Sequence, residues 1–258
     1  MRLIDSHSHI DADEFAPDRA AVIERARLAG VTQQIVPAIT AASWPALREI
    51  CATTPGLHPA YGLHPMFLAQ HQPQHLQQLE TWLATERPVA VGECGLDFFI
   101  DGLDPQQQRF YFQRQLELAK EFDLPLILHA RRALAEVIYA LRGIGGLRGV
   151  VHSFSGSAEQ ARELFKLGFH LGIGGPLTYE RATRLRGIVA TMPIEFLLLE
   201  TDSPDQPLST HRGQRNEPGY LTEVCDCVAE LRKTDAEIIA QATTANAIRL
   251  FGLDPATD

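Results

Sequence analysis

The sequence predicts an α/β protein that forms a single (β/α)8 TIM barrel, and three observations support this fold class. The chain has 258 residues, and barrels reach about 250 residues as one domain. Eight short apolar runs are continuous rather than alternating, as in strands buried on both faces of a parallel sheet. The runs recur about every 28 residues, close to the roughly 30 residues of a strand and its crossover helix. We expect one barrel domain over residues 1–258.

The predicted strands follow the chain in order, with helical segments between them. They cover residues 3–4, 34–38, 59–63, 89–91, 124–128, 150–151, 169–173 and 196–199. Asp104, which is followed by a proline, predicts the start of a helix, because a carboxylate can cap the helix and proline is favoured at its first position. Ser157 with Gln160, and Thr234 with Glu237, predict capping boxes at the start of two later helices.

Composition argues against several classes of function. The chain carries 23 Lys and Arg against 32 Asp and Glu, a formal net charge of −9, which disfavours a protein that coats duplex DNA. No apolar stretch approaches the roughly 18 residues of a membrane span, and the N-terminal segment lacks the apolar stretch of a secretory signal. The four cysteines show neither zinc-site nor disulfide-framework spacing. We therefore expect a cytoplasmic protein with no membrane association and no obligate protein partner.

The first predicted strand leads into the segment Asp5-Ser-His7-Ser-His9, in which two imidazoles are two residues apart. Residues at this spacing on a strand point to the same side, so His7 and His9 can both face the barrel interior and bind one metal ion. Taken alone, the pair is equally consistent with two rings that line a polar barrel mouth. The ends of the other strands favour the metal site.

Candidate metal ligands also follow later apolar runs, at the point where each strand ends. They are Glu93, His129, His152 and Asp202. The carboxyl ends of barrel strands converge on the active-site face, so these side chains should meet the two N-terminal histidines there. Imidazoles and carboxylates suit Zn²⁺, Mn²⁺ or a related divalent ion such as Mg²⁺. The set is too large for one tetrahedral centre with an open position, which predicts two adjacent metal ions that share a carboxylate.

Taken together, these motifs resemble the TatD family of metal-dependent hydrolases, within the amidohydrolase-like barrels. The resemblance is carried by DSHSHID (5–11), YGLHP (61–65), GECGLD (92–97), LHAR (128–131), HSFSG (152–156), LETDSP (199–204) and RGQRNEP (212–218). It implies that His7, His9, Glu93 and Asp202 surround one metal ion, and that Glu93 bridges to a second ion held by His129 and His152. Residues 205–211 resemble the YjjV-like subgroup, whereas Phe98-Phe99 replaces a tyrosine found in many relatives.

The resemblance further implies a deoxyribonuclease that cleaves phosphodiester bonds with a metal-activated water. Glu93 and Asp202 are the predicted catalytic residues, and Asp202 would also take the proton from the nucleophile. The expected ligands are nucleic-acid ends or a small phosphoester or ester. By the same resemblance His64 contacts the scissile phosphate, and the alternative is a buried, hydrogen-bonded structural histidine.

Four further side chains are predicted to bind substrate from their positions alone. Arg131, Arg212 and Arg215 can receive phosphate through bidentate hydrogen bonds, although solvated surface arginines are the alternative. Glu200 precedes Asp202 by two residues and is predicted to hold a ligand histidine or a cation on the substrate side. The remaining histidines lack the strand-end position and are predicted to be surface or packing residues. These are His58, His71, His75, His170 and His211.

Two alternative functions remain open at this point. The same metal pair serves many substrates on this fold, so hydrolysis of another ester or amide, such as an aminoacyl-RNA ester or a small metabolite, is the first. A binding protein in which the metal is purely structural is the second. Several arginines aimed at the metals would favour a phosphate substrate, and an apolar pocket would favour an ester.

Overall fold

The structure is a computed structural model that describes residues 1–255, so the last three residues of the predicted domain, 256–258, lie outside the described part. Its eight strands form one sheet in the order of the sequence. They are β1 (Leu3–Asp5), β2 (Val31–Pro37), β3 (Leu57–Tyr61), β4 (Ala90–Asp97), β5 (Leu126–Arg131), β6 (Gly149–Val151), β7 (Phe169–Ile173) and β8 (Leu197–Leu199).

All neighbouring strands from β1 to β8 are parallel. The sheet closes where β8 meets the end of β1, because the Ser6 amide donates a hydrogen bond to the Leu199 carbonyl at 2.9 Å. The predicted eightfold parallel barrel is confirmed, and every predicted strand overlaps an observed one.

Nine α-helices surround the barrel within residues 1–255. They are α1 (Arg19–Leu28), α2 (Trp44–Thr53), α3 (Pro73–Glu86), α4 (Pro105–Glu121), α5 (Leu134–Ile144), α6 (Ala158–Lys166), α7 (Thr183–Thr191), α8 (Leu221–Arg232) and α9 (Ala236–Phe251). None of these helices is both long enough and apolar enough to cross a membrane.

The predicted helix caps are correct at two of three positions. Asp104 accepts a hydrogen bond from the Gln106 amide at 2.8 Å, and Ser157 forms the predicted capping box with the third residue of α6. The prediction for Thr234 is wrong, since α9 is capped by Asp235 instead. The physical reason is that the Thr234 amide donates to the Ala229 carbonyl and so completes the end of α8.

The barrel interior is filled from the end where the strands begin, which leaves the opposite end for polar side chains. Small and branched apolar residues of the strands pack there against the last turns of α9. These are Ile4, Ile35, Ala60, Ala90, Ile127, Val150, Leu198, Leu250 and Phe251. The Asn246 side chain on α9 donates to the carbonyl of Leu197, the first residue of β8, at 2.9 Å. This helix therefore covers the amino-terminal end of the barrel, opposite the predicted site.

Candidate metal centre

Glu93, on β4, lies at the centre of four imidazoles contributed by other strand ends. Its Oε2 atom is 3.3 Å from His7 Nε2 and 3.4 Å from His9 Nε2. Its Oε1 atom is 2.8 Å from His152 Nε2 and 3.2 Å from His129 Nδ1. One oxygen of this buried carboxylate therefore faces His7 and His9, and the other faces His129 and His152 and, at 2.9 Å, also His64.

Asp202 completes the side of the cluster that contains His7 and His9. Its Oδ1 atom is 3.4 Å from His7 Nε2 and 3.7 Å from His9 Nε2. The backbone of Asp202 is left-handed, with φ at 56°, and its amide donates to the His7 carbonyl at 2.9 Å. The side-chain amide of Gln206 donates to Oδ2 of Asp202. The turn after β8 thus fixes one carboxylate oxygen and directs the other at the two histidines.

His64 reaches the other side of the cluster. Its Nε2 atom is 2.9 Å from Glu93 Oε1, and its Nδ1 atom accepts a hydrogen bond from the Met66 amide at 3.1 Å. Because Nδ1 is an acceptor, a neutral His64 ring carries its proton on Nε2 and donates it to Glu93. In this form the ring has no free lone pair for a metal ion, although His64, Glu93 and His129 are close enough to share one.

Two carboxylates lie behind the histidines, and one of them, Asp97, orients His129 through a hydrogen bond. Asp97 Oδ2 is 2.9 Å from His129 Nε2, so that ring donates from Nε2 and presents the lone pair of Nδ1 to the cluster. Glu200 Oε1 is 3.8 Å from His152 Nδ1 and accepts the Ser153 amide at 2.5 Å. Asp97 was not predicted as a site residue. Its place on β4, four residues after Glu93 and on the same face of the strand, is the signal that could have found it.

Asp5 is a second residue that sequence reasoning missed. It is fully buried, and its two oxygens accept hydrogen bonds from the His7 amide, the Thr201 amide and the Thr201 hydroxyl at 3.2, 3.0 and 2.6 Å. Burial raises the pKa of Asp5 to about 7 against the lowering effect of these bonds. Asp5 therefore links the end of β1 to the end of β8 and sets His7 next to Asp202.

The donor set fits divalent metal ions. His7 Nε2 and His9 Nε2 point at each other at 3.2 Å, an arrangement in which two lone pairs repel unless a proton or a cation lies between them. Three subsets of the cluster have ligand atoms within 4.8 Å of one another: His7–Glu93–His152, His7–His9–Asp202 and His64–Glu93–His129. Imidazole nitrogens and carboxylate oxygens in such groups are the ligands that Zn²⁺ and Mn²⁺ prefer.

The cluster forms the floor of a cavity of about 670 Å³ at the carboxyl ends of the strands. His64 and Arg131 line this cavity together with acidic Asp11, Glu14 and Asp205. One wall is apolar and consists of Ile39, Met66 and Phe67. The cavity therefore offers both charged and apolar contacts next to the candidate metal ligands.

Three residues predicted to bind substrate lie outside this cavity. Arg215 pairs with the Asp18 carboxylate at 2.7 and 2.9 Å and with Glu217 at 2.9 Å, so acidic side chains already occupy its guanidinium. Arg212 is exposed and does not line the cavity. Glu200 is buried behind His152, where a Cβ atom on Gly172 would lie 2.0 Å from its Oε2 atom. Glu200 lies beside His152, with Oε1 3.8 Å from His152 Nδ1 and no hydrogen bond between the two side chains.

The five histidines predicted to be surface or packing residues also lie outside the cavity lining. One of them still acts on the cluster indirectly, since His71 Nε2 is 2.8 Å from the carbonyl of His64.

Comparison with known proteins supports a metal-dependent hydrolase. The family model described as TatD related DNase matches residues 4–252. The uncharacterised metal-dependent hydrolase YjjV of Escherichia coli K12 is 42% identical over 256 residues, which are 98% of each chain. The protein tatdn3 of Danio rerio, named as a candidate deoxyribonuclease, is 31% identical over 261 residues, which are 96% of each chain.

Solved structures agree with this comparison. The crystal structure of Escherichia coli YjjV matches with a TM-score of 0.93 at 40% identity and covers 98% of this chain and 99% of its own. A variant of an organophosphorus hydrolase matches with a TM-score of 0.70 at 16% identity, covering 97% of this chain and 92% of its own, which is a likeness of fold alone.

Proposed function

This chain belongs to the TatD family of metal-dependent hydrolases, and we propose that it is a phosphodiesterase of the deoxyribonuclease type that acts on strand ends. The observation that supports this most directly is Glu93, whose Oε2 atom faces one pair of imidazoles while its Oε1 atom faces a second pair and also His64, all at 2.8 to 3.4 Å. A shared carboxylate of this kind is typical of two-metal sites that hydrolyse phosphate esters.

Two divalent ions, Zn²⁺, Mn²⁺ or Mg²⁺, are the proposed cofactors. His7, His9 and Asp202 would hold one ion, His129 and His152 the other, and Glu93 both. Such ions lower the pKa of water towards neutrality and offset the negative charge of a phosphate.

Asp202 is the proposed proton acceptor, and Gln206 is the residue that positions it. Because Gln206 already donates to Oδ2, Oδ1 is the oxygen that would both ligate the ion beside His7 and His9 and take a proton from an attacking water. His64 donates to Glu93 through Nε2 and keeps that carboxylate turned towards the histidines. Its place in the cavity lining also supports the proposed contact with the scissile phosphate.

Arg131 is the proposed phosphate-binding arginine. It lines the cavity, and its guanidinium forms no ion pair among residues 1–255, which leaves its donors for a ligand. Because Arg212 and Arg215 lie outside the cavity, only one of the three arginines predicted to bind phosphate, Arg131, lines it.

A second candidate function is hydrolysis of a carboxylic ester. The apolar wall of Ile39, Met66 and Phe67 favours it, since this wall lies in the same cavity as the cluster and can pack against an uncharged acyl or alkyl group.

Hydrolysis assays on matched substrates distinguish the two functions. Chelator-stripped protein reloaded with Zn²⁺ or Mn²⁺ is assayed on end-labelled single- and double-stranded DNA and on a simple carboxylic ester, with Glu93→Ala and the stripped protein as controls. We expect metal-dependent shortening of DNA from its ends that both controls lose. Hydrolysis of the ester without cleavage of DNA, or cleavage that survives in Glu93→Ala, would contradict the nuclease proposal.

A further inference from the structure

We infer that two buried glutamines of α4, Gln108 and Gln115, are positioning residues of the metal centre. Gln108 acts on His129 through Asp97, and Gln115 acts on His64 through the main chain of the residue before it. Neither glutamine lines the cavity or lies at the end of a strand. Their positioning role rests on the metal-dependent hydrolase function proposed above, and through it a helix outside the barrel controls two side chains inside it.

Both glutamines lie on the buried face of α4. They are about two helical turns apart, which places their Cα atoms roughly 10 Å from each other along the helix axis. Gln108 is 1% exposed, and Gln115 is fully buried. A carboxamide presents an acceptor oxygen and a donor NH2 group in one plane, so it can bind the N–H and the C=O of a single main-chain residue. Because both side chains are buried, water cannot replace either hydrogen bond.

Gln108 binds both hydrogen-bonding groups of the Asp97 main chain. The Asp97 amide donates to Gln108 Oε1 at 2.7 Å, and Gln108 Nε2 donates to the Asp97 carbonyl at 2.8 Å. The side chain of Asp97 points the other way, with Oδ2 2.9 Å from His129 Nε2. Gln108 therefore fixes the main chain from which the Asp97 carboxylate reaches His129.

Gln115 repeats this contact on the chain that follows β3. The Leu63 amide donates to Gln115 Oε1 at 2.8 Å, and Gln115 Nε2 donates to the Leu63 carbonyl at 3.2 Å. The same Nε2 atom also donates to the Tyr111 carbonyl of its own helix at 3.2 Å. His64 is the next residue of the chain, and its Nε2 atom is 2.9 Å from Glu93 Oε1. Gln115 therefore fixes the main chain directly before His64.

α4 takes the place of a strand beside the end of β4. β3 pairs with β4 as far as Val91, whereas β4 pairs with β5 as far as Asp97. β4 therefore continues past the end of β3, and its last N–H and C=O groups on that side need another partner, since buried main-chain groups are almost always hydrogen-bonded. Gln108 supplies this partner from α4.

The two contacts meet at one oxygen of the metal centre. His64 Nε2 and His129 Nδ1 lie 2.9 and 3.2 Å from Glu93 Oε1, and the two ring centroids are 4.5 Å apart. Because one helix holds the chain behind each ring, α4 determines how the rings are spaced around Glu93. Loss of Gln108 should disturb His129, a proposed metal ligand, whereas loss of Gln115 should disturb His64, which is not one.

Titration of stripped protein with Zn²⁺ or Mn²⁺ tests Gln108. Gln108→Met has a side chain of similar length that binds neither main-chain group of Asp97. We expect one of the two metal ions to bind about tenfold more weakly and the other to change less than about twofold, because Asp97 supports one ligand histidine. Gln115→Met, which removes the equivalent contact, and exposed Gln107→Met should leave both affinities within about twofold. Equal weakening of both ions in Gln108→Met, or no weakening, would overturn the role of Gln108.

A double-mutant cycle tests whether Gln108 acts through Asp97. Asp97→Asn already removes the carboxylate that supports His129, so Gln108→Met should weaken metal binding less than about twofold further in that background. Losses that multiply would show an independent effect on the fold and would overturn this route. Chemical denaturation checks that each variant unfolds cooperatively. If Gln108→Met does not, Gln108→Asn, which keeps the amide on a shorter side chain, takes its place with the same expected pattern.

Nitrogen-15 NMR of the histidine rings in metal-free protein gives a readout that depends on neither metal nor substrate. We expect Gln108→Met to shift the ring signals of His129 more than those of His64, and Gln115→Met to do the opposite. Equal shifts of both rings in both variants would show that α4 only stabilises the fold and would overturn the positioning role. The expected metal affinities and ring signals in a protein that cleaves no DNA would overturn the proposed nuclease and leave the positioning role supported.

Discussion

Asp97 Oδ2 lies 2.9 Å from His129 Nε2, and this contact determines which nitrogen of His129 faces the metal centre. Burial raises the pKa of Asp97, but the hydrogen bonds from His129 and from the Phe99 amide outweigh this effect and hold the pKa below its usual range. Asp97 is therefore an ionised acceptor, His129 donates from Nε2, and the Nδ1 lone pair points at Glu93.

Substitution of Asp97 should weaken metal binding. In the wild type, one oxygen of Asp97 accepts from the Phe99 amide and the other from His129 Nε2. The side chain of Asp97→Asn has only one oxygen, so its NH2 group must face one of these two donors. We expect the affinity for the weaker-bound metal ion to fall about 10- to 100-fold, as for other carboxylates that support ligand histidines. Metal titration of stripped protein measures this, with Asp101→Asn as the control in the same loop. Equal affinities in the two variants would contradict the role of Asp97.

Metal binding should tighten as the pH rises. Burial lowers the pKa of His9 and of His152, but Glu93 and Asp202 outweigh it and raise these values to about 9 and about 10 in the metal-free protein. Both rings are then protonated near neutral pH and must lose a proton before they bind a metal ion. Calorimetric titrations in buffers of different ionisation enthalpy should show net proton release. A metal affinity that does not change between about pH 6 and pH 8 would contradict this prediction.

Glu200 should make the metal-free protein less stable as the pH rises. Burial raises the pKa of Glu200 to about 8, from its ordinary value of 4.5. Ionisation is therefore harder in the folded than in the unfolded state, so folding stability falls between these two pH values. Glu200→Gln, which stays neutral, should gain stability relative to wild type across that interval. Denaturant unfolding of both proteins at several pH values measures the gap, and exposed Glu195→Gln controls for the loss of one charge.

Removal of Asp5 should cost about 3 kcal/mol or more of unfolding free energy, because each buried donor left without an acceptor costs about 1–3 kcal/mol. Two backbone donors, the His7 amide and the Thr201 amide, would lose their acceptor, and the Thr201 hydroxyl would keep only Ser203 Oγ at 3.0 Å. Chemical denaturation of Asp5→Ala without metal measures the loss. A cost below about 1 kcal/mol would show that the link between β1 and β8 contributes little.

The barrel could be predicted because continuous apolar runs at regular spacing follow directly from parallel strands buried on both faces. The positions of His7, Glu93, His129 and Asp202 follow from the same rule, since Glu93 and His129 lie within β4 and β5, and His7 and Asp202 lie two and three residues after β1 and β8. Asp5 and Asp97 are the last residues of β1 and β4, and each lies an even number of residues from a predicted ligand, His7 or Glu93. Both would have been indicated if every carboxylate at such a position had been considered.

Arginines in loops could not be assigned in this way. Arg215 pairs with Asp18, which is 197 residues away in the sequence, and only the folded chain brings them together. Glu200 lies two residues before Asp202, as the sequence shows, but its burial behind His152 depends on the space left by Gly172 on the neighbouring strand. Cross-strand packing of this kind leaves no periodic signal in a single sequence.

The number of divalent ions bound by each chain tests the central claim, that Glu93 is shared by two metal ions, most directly. Stripped protein is reloaded with Zn²⁺ or Mn²⁺, dialysed, and measured by elemental analysis beside Glu93→Ala. The arrangement of Glu93 between two pairs of imidazoles predicts two equivalents in wild type and fewer than one in the variant. A single equivalent in wild type that persists in Glu93→Ala would contradict the shared site.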